Sequence, residues 1–185
     1  MNNRIKIVGI SGSLRKGSFN SALLREAVKL AQDKAEIEIL DISQIPPFNQ
    51  DLENNRNQAV LTLKNKIKAA DAVLFVSPEY NYSVSGVLKN AIDCASRPYG
   101  DNSFEGKPAA IMGASIGMLG TARMQYHLRQ MLVFLDMKPI NRPEVMVGLA
   151  EEKFDAEGNL TDEKTKRKIG ELIEALAAWT VKIKD

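Results

Sequence analysis

The chain has 185 residues, 44% of them hydrophobic and 26% charged, which is typical of a globular protein and predicts one domain over residues 1–185. The net charge of +2 is too small to favour a nucleic-acid surface, and a single cysteine and a single histidine exclude an internal disulfide and a zinc or iron–sulfur site. No apolar run has the length of a membrane span, and the first residues lack the form of a signal peptide. We therefore expect a cytoplasmic protein without membrane, metal or nucleic-acid partners.

Segments typical of strands and helices alternate along the chain. Strands are predicted at residues 5–10, 36–39, 72–76, 108–114 and 138–147. Helices are predicted at residues 18–31, 57–70, 86–96, 121–135 and 161–184, the last with Thr161 as its N-cap. The second strand alternates glutamate with isoleucine, which is typical of an edge strand with one polar face. The third is apolar throughout, as expected for a central strand.

This order predicts an α/β fold, a flavodoxin-like doubly wound five-stranded parallel sheet in the order 2-1-3-4-5 with helices on both faces. Ligands of such sheets bind beyond the carboxyl ends of the strands, where the winding reverses. The loops after the first, third and fourth strands are therefore the candidate site.

The first loop, residues 11–20, joins a strand to the amino end of a helix, where free backbone N–H groups favour an anion. Its side chains add three hydroxyls, an amide and the guanidinium of Arg15, which can hold phosphate oxygens in a bidentate way. We predict a phosphate site here, and a simple helix-capping turn is the alternative.

Two common nucleotide motifs nearly fit this loop, but both fail. Gly12 and Gly17 have the spacing of a Walker A motif, yet Ser18 and Phe19 stand where the motif needs Lys followed by Ser or Thr. The dinucleotide fingerprint fails as well, because Ser11 stands where its second glycine belongs. The expected ligand therefore carries one phosphate.

The second loop, residues 77–85, carries Tyr80 and Tyr82, which can flank a flat ring at the mouth of a site. Exposed loop aromatics, or contacts with a partner subunit, are the alternatives.

The third loop contains a G-x-S-x-G sequence around Ser115, the pattern of a hydrolase nucleophile. The only histidine, His127, lies within the helix that follows, and no acid stands between the two, so no catalytic triad can form. Gly117 and Gly120 are better explained by close backbone approach to a planar ligand.

The motifs of these loops resemble those of the NAD(P)H-dependent FMN reductases of flavodoxin-like fold, and most closely those of the bacterial chromate and quinone reductase branch. The matching runs are residues 12–20, 78–83 and 86–93, together with residues 125–130 of the fourth predicted helix. The similarity extends from Ile5 to about Val147. Members of the family often have Pro where Ser85 stands and Trp where Cys94 stands.

The resemblance implies FMN as cofactor, NADPH or NADH as co-substrate, and hydride transfer through the flavin to quinones, with chromate or azo compounds as further acceptors. It implies that one group of residues holds the phosphate and the ribityl chain: Ser11, Ser13, Arg15, Ser18, Phe19 and Asn20. A second group would surround the isoalloxazine ring: Pro78, Glu79, Tyr80, Asn81, Ser83, Ser115 and Gly117. No side chain is needed as a catalytic group, because the flavin performs the chemistry.

A flavodoxin-type electron carrier without its own NAD(P)H site is the alternative function, although such carriers are typically strongly acidic. A binding module that keeps the fold without the cofactor is a third. The fourth helix is apolar on more than one face, which favours self-association over a monomer with a well-buried helix. The family resemblance implies a dimer or tetramer, with Tyr82, Arg123, Tyr126 and Glu144 at the subunit boundary.

Overall fold

A computed structural model describes residues 4–31, 34–55 and 57–184, so residues 1–3, 32–33, 56 and 185 of the predicted domain lie outside the description. The strands are β1 (Ile5–Ser11), β2 (Ala35–Leu40), β3 (Ala72–Val76), β4 (Glu79–Tyr80), β5 (Ser83–Val84), β6 (Pro108–Ala114), β7 (Lys138–Pro139) and β8 (Val145–Val147). The α-helices are α1 (Phe19–Leu30), α2 (Gln58–Ala69), α3 (Gly86–Ser96), α4 (Ala122–Phe134) and α5 (Glu163–Lys184). Two short 3₁₀ helices lie at Gln50–Leu52 and Ala150–Glu152.

The central sheet is parallel and has the order β2-β1-β3-β6, with β7 and β8 both paired to the outer edge of β6. This confirms the predicted fold class. The prediction of one continuous fifth strand over 138–147 was wrong, because β7 pairs near the start of β6 and β8 near its end. Pro143, which lies between the two strands, has no backbone N–H to donate, and this favours an interruption there.

Apolar side chains pack on both faces of this sheet. On one face α1 and α5 contribute residues such as Leu23 and Leu176, and on the other α2 and α4 contribute residues such as Ile67 and Leu128. Every residue of β3 is buried, whereas Glu36 and Glu38 of the edge strand β2 are exposed. Burial thus confirms the central and edge positions that the two sequence patterns predicted.

The start of α5 differs from the prediction. Thr161 is not the N-cap; the carboxylate of Asp162 accepts a hydrogen bond from the backbone N–H of Thr165 at 2.7 Å. The hydroxyl of Thr161 instead donates to the backbone oxygen of Lys153. A carboxylate beside the positive end of a helix is favoured over a hydroxyl by charge. Hydrogen bonds from the side chain of Thr165 and then from its backbone N–H hold the pKa of Asp162 below its usual value.

None of the helices among residues 4–31, 34–55 and 57–184 combines the length and apolar character that crossing a membrane requires. Within the same residues, no cluster of three or more His, Cys, Asp or Glu side chains is arranged to hold a metal ion.

Candidate functional site

Three loops leave the carboxyl edge of the sheet side by side. Gly12 donates its N–H to the oxygen of Val76 at 2.8 Å, and Ser77 donates to the oxygen of Met112 at 3.2 Å, so hydrogen bonds continue past the ends of β1 and β3. Two glycines at this edge of the sheet, Gly12 and Gly113, leave no room for a side chain. A Cβ on Gly12 would lie 2.6 Å from the hydroxyl of Ser77, and one on Gly113 would lie 2.2 Å from the backbone oxygen of Ser77.

The first loop presents cations at the start of a helix. Ser18 is buried and caps α1 by accepting from the N–H of Ser21 at 3.2 Å, and the first turn of α1 contains no acidic residue. Arg15 and Lys16 are exposed, and neither forms an ion pair with any other residue that the structure describes. Unpaired cations beside a helix N-terminus make a site suited to a phosphate group.

Other polar side chains of this region form bonds inside the protein. The amide of Asn20 is buried, donating to the backbone oxygen of Ala114 at 3.0 Å and accepting from the N–H of the same residue at 2.8 Å. The hydroxyl of Ser11 lies 3.0 Å from that of Ser21. The ring of Phe19 packs against Phe154, with centroids 4.9 Å apart. These contacts fix the first loop and α1 against the end of β6.

The second loop contains a feature that the sequence prediction missed, an antiparallel hairpin of β4 and β5. Its turn residues Asn81 and Tyr82 both have positive φ angles, of 50° and 63°. Two consecutive positive φ angles are typical of the type I′ turn, which joins short antiparallel strands. Asparagine tolerates this backbone conformation, but tyrosine rarely adopts it, and strain of this kind is common at functional sites.

A carboxylate ties this hairpin to α4. Glu79 accepts hydrogen bonds from the N–H groups of Arg123 and Met124 at 3.0 and 3.1 Å, and from Nε of Arg123. Thr121, at the N-cap of α4, makes no side-chain capping bond, so Glu79 supplies the acceptor that this helix start would otherwise lack. The guanidinium of Arg123 also lies 3.7 Å from the ring centroid of Tyr82.

The other predicted members of the second loop differ in exposure. Pro78 is buried, and Tyr80 is 46% exposed at the mouth of the loop. The hydroxyl of Ser83 lies 3.0 Å from Nδ1 of His127 on α4.

The third loop is held rigidly and turns apolar side chains outward. The hydroxyl of Ser115 accepts from the N–H of Gly117 at 3.2 Å, and the oxygen of Gly117 accepts from Gly120 at 3.1 Å. Gly120 has a φ of 61°, and a Cβ there would lie 2.9 Å from the backbone of Met146. Within this fixed loop Met118 is 81% exposed.

The four residues predicted for a subunit boundary lie close together on one side of the molecule. Arg123 and Tyr82 contact each other, and the Tyr126 hydroxyl donates to the carboxylate of Glu144 at 3.1 Å. This hydrogen bond raises the pKa of Tyr126. Tyr126 and Glu144 are exposed.

Two positions that differ from the usual family sequence have identifiable roles. The Ser85 hydroxyl caps α3 by accepting from the N–H of Leu88 at 3.4 Å. Cys94 is buried, its thiol lies 3.7 Å from the oxygen of Pro46, and burial raises its pKa. It borders a cavity of about 440 Å³ between the 46–57 segment and α3, and no residue of the three loops lines that cavity.

The topology and the three loops define an α/β protein of flavodoxin type, with a phosphate-suited turn beside a strained aromatic hairpin. Comparison with known proteins agrees with this class. The sequence profile described as NADPH-dependent FMN reductase matches residues 5–152. The chain therefore belongs to the NADPH-dependent FMN reductase family, which confirms the resemblance predicted from the sequence.

Individual relatives are similar over almost their whole length. An NAD(P)H-dependent FMN reductase of Pseudomonas aeruginosa is 54% identical over 185 residues, covering 100% of both chains. An NAD(P)H:quinone oxidoreductase of Solanum tuberosum is 48% identical, over 97% of this chain and 95% of the relative. Among solved structures, FerB, a flavoenzyme NAD(P)H:(acceptor) oxidoreductase from Paracoccus denitrificans, has a TM-score of 0.89 and 40% identity, with 96% of this chain and 98% of that one covered.

Proposed function

We propose that the protein is an NAD(P)H-dependent oxidoreductase that binds FMN and reduces quinones in two-electron steps. The observation that carries this proposal is the position of the unpaired cations Arg15 and Lys16 at the start of α1, next to the hairpin that Glu79 fixes to α4. FMN joins one phosphate to one flat ring, and these two loops offer one region for each. The named activities of the relatives support the same assignment.

The residues of the first loop divide into two roles. Arg15, Ser13 and the backbone N–H groups at the start of α1 would bind the phosphate, because they lie at the surface and the cation of Arg15 is unpaired. Four other residues would position this loop through internal contacts: Ser11, Ser18, Phe19 and Asn20. Within this proposal their side chains support the loop, whereas the family resemblance implied that they contact the ligand directly.

The second and third loops would surround the ring. When bound, FMN accepts a hydride from NAD(P)H and delivers it to the acceptor. The backbone N–H groups of Asn81–Ser83 would stabilise negative charge at the ring edge, Tyr80 would cover one side, and Ser115 with Gly117 would border the other. Exposed Met118 and Tyr80 leave an apolar mouth suited to flat quinones, and chromate and azo compounds are further acceptors within this proposal.

We also propose that the protein self-associates as a dimer or tetramer through the side of α4 that carries Tyr126. A cytoplasmic location fits the proposed activity, because NAD(P)H is an intracellular reductant.

The test combines binding with a spectrum. Replacing Arg15 and Ser13 together by alanine is expected to weaken FMN binding by about tenfold or more, measured by quenching of flavin fluorescence, because charge-assisted phosphate bonds are lost. Riboflavin, which has no phosphate, should bind the variant as well as it binds the unmodified protein. Arg25→Ala, at an exposed arginine further along α1, is the matched control and should leave FMN affinity unchanged.

The same preparation separates the competing functions. Anaerobic addition of NADPH to the yellow protein should bleach its visible absorbance, and a quinone should restore it. A flavin that binds but stays oxidised with both NADPH and NADH would favour the electron carrier. A protein that takes up no FMN would favour the cofactor-free binding module.

A further inference from the structure

The single imidazole of the chain touches the hairpin that the proposed function places against the flavin ring. His127 lies on α4 one helical turn after Arg123, and its Nδ1 atom is 3.0 Å from the hydroxyl of Ser83 in β5. Ser83 is half-buried and directly follows Tyr82, whose backbone is strained. A titratable group is thus linked by one hydrogen bond to a polar atom of the candidate site.

The charges around this imidazole are already matched to each other. On α4 and the hairpin, Arg123 pairs with Glu79. Across the cleft between α4 and α3, Lys89 pairs with Asp93. Tyr82 is the titratable hydroxyl of the turn. Among the described residues no carboxylate forms an ion pair with His127, and its ring is hydrogen-bonded to the Ser83 hydroxyl.

The direction of the Ser83 hydrogen bond depends on the tautomer of the His127 ring and on its protonation. When the ring is neutral with its hydrogen on Nε2, the Nδ1 lone pair accepts the hydroxyl hydrogen of Ser83. When the ring is protonated, Nδ1 carries a hydrogen and donates to the hydroxyl oxygen. The hydroxyl hydrogen then turns to a different acceptor.

We infer that His127 is a positioning residue of the flavin site, whose protonation turns the Ser83 hydroxyl outward as a hydrogen-bond donor to the ring held at the hairpin. The inference rests on the proposed function, since it requires a ring at the hairpin. By linkage, ligand binding must in turn favour the protonated imidazole.

Because the chain has one histidine, proton NMR gives one imidazole Cε1–H resonance whose titration can be followed without assignment. Saturating riboflavin, used because it lacks the titrating phosphate of FMN, should move that titration to higher pH by about half a pH unit in the unmodified protein. In Ser83→Ala the resonance should titrate at one pH with and without riboflavin.

Riboflavin affinity supplies the reciprocal measurement. In the unmodified protein it should rise about threefold as the pH falls from about 8 to about 5, because the protonated imidazole frees one donor. It should be independent of pH in Ser83→Ala and in His127→Gln, whose amide does not titrate in this range. Gln130→Ala, at an exposed residue on the next turn of α4, is the matched control and should keep the pH dependence.

The outcomes distinguish this inference from the proposed function. Identical pH profiles in the unmodified protein and in Ser83→Ala, with flavin bound in both, overturn the role of His127 and leave the oxidoreductase proposal standing. Failure of riboflavin and FMN to bind at any pH overturns both.

Discussion

Most polar side chains at the carboxyl edge of the sheet are used to hold the loops, and few remain free for a ligand. Glu79 and Asn20 each make at least two bonds within the protein, whereas Arg15 forms no ion pair among the described residues. A site of this kind is preorganised, because the groups that shape it are fixed before the ligand arrives. A small change at a shaping residue should therefore affect both stability and binding.

Glu79 is the residue where this can be tested most directly. Glu79→Gln removes the negative charge from the start of α4. Only one of the two terminal atoms of glutamine can accept a hydrogen bond, so its N–H₂ group would face a donor of Arg123 or Met124. We expect the free energy of unfolding, measured with urea, to fall by about 1–2 kcal/mol. FMN affinity should fall severalfold, since the hairpin loses its attachment.

Glu163→Gln provides the comparison at another helix start. Its carboxylate lies in the first turn of α5, pairs with Lys166 and is largely exposed, so its loss should cost less than about 0.5 kcal/mol and leave FMN affinity unchanged. If Glu79→Gln destabilised the protein while FMN affinity stayed the same, the hairpin would not belong to the flavin site.

Among the elements, α1 and β6 are joined by a contact between residues distant in the sequence. Asn20→Ala would leave both the N–H and the oxygen of Ala114 buried without their present partner. We expect a loss of about 2–4 kcal/mol of unfolding free energy, with the first loop shifted and FMN binding weakened.

A conservative variant tests whether this loss comes from the bonds. Asn20→Asp keeps an acceptor for the N–H of Ala114 but loses the donor to its oxygen. It should also be destabilised if the amide works as described. A stable Asn20→Asp protein with weakened FMN binding would instead support direct contact between Asn20 and the ligand.

Elements could be predicted from the sequence where burial alone decides the pattern. β3 is buried on both faces and β2 on one, and both patterns are visible in consecutive residues. The β4–β5 hairpin was missed because strands of two residues show no periodicity, and Tyr82 is not a residue expected at positive φ. The break between β7 and β8 contains Pro143, which cannot donate a hydrogen bond between strands, and an apolar pattern alone does not show such a break.

The site was predictable to the extent that it is local. The glycines, hydroxyls and arginine of the first loop are consecutive in the sequence, and the fold order places the other two loops beside it. The two hydrogen bonds between Asn20 and Ala114 join residues 94 positions apart and leave no local signal in the sequence. The same is true of Glu79 as the cap of α4, which lies 44 residues away.

At the scale of the whole molecule, α4 has two faces with different partners. Its inner face packs on the sheet through residues such as Leu128 and Leu132. On the other side Val133 and Phe134 are 80% and 78% exposed, and Tyr126 is 54% exposed. Apolar groups grouped in this way typically mark an interaction surface, which is the physical basis for the proposed self-association.

Val133→Ser combined with Phe134→Ser should therefore convert the oligomer to a monomer, measured by size-exclusion chromatography with light scattering at micromolar concentration. Tyr99→Ser, at an aromatic residue that is 76% exposed in the loop after α3, is the matched control and should leave the oligomer intact. A monomeric unmodified protein at that concentration would contradict the proposal.

The monomeric variant should also bind FMN more weakly. The first turns of α4 hold the hairpin through Arg123 and His127, so packing a second subunit against this helix would restrict the motion of the hairpin as well. If self-association has already ordered the hairpin, FMN binding no longer bears that entropy cost. Self-association and FMN binding then favour each other. FMN affinity measured over a range of protein concentrations should accordingly rise with the oligomeric fraction in the unmodified protein and stay constant in the double variant.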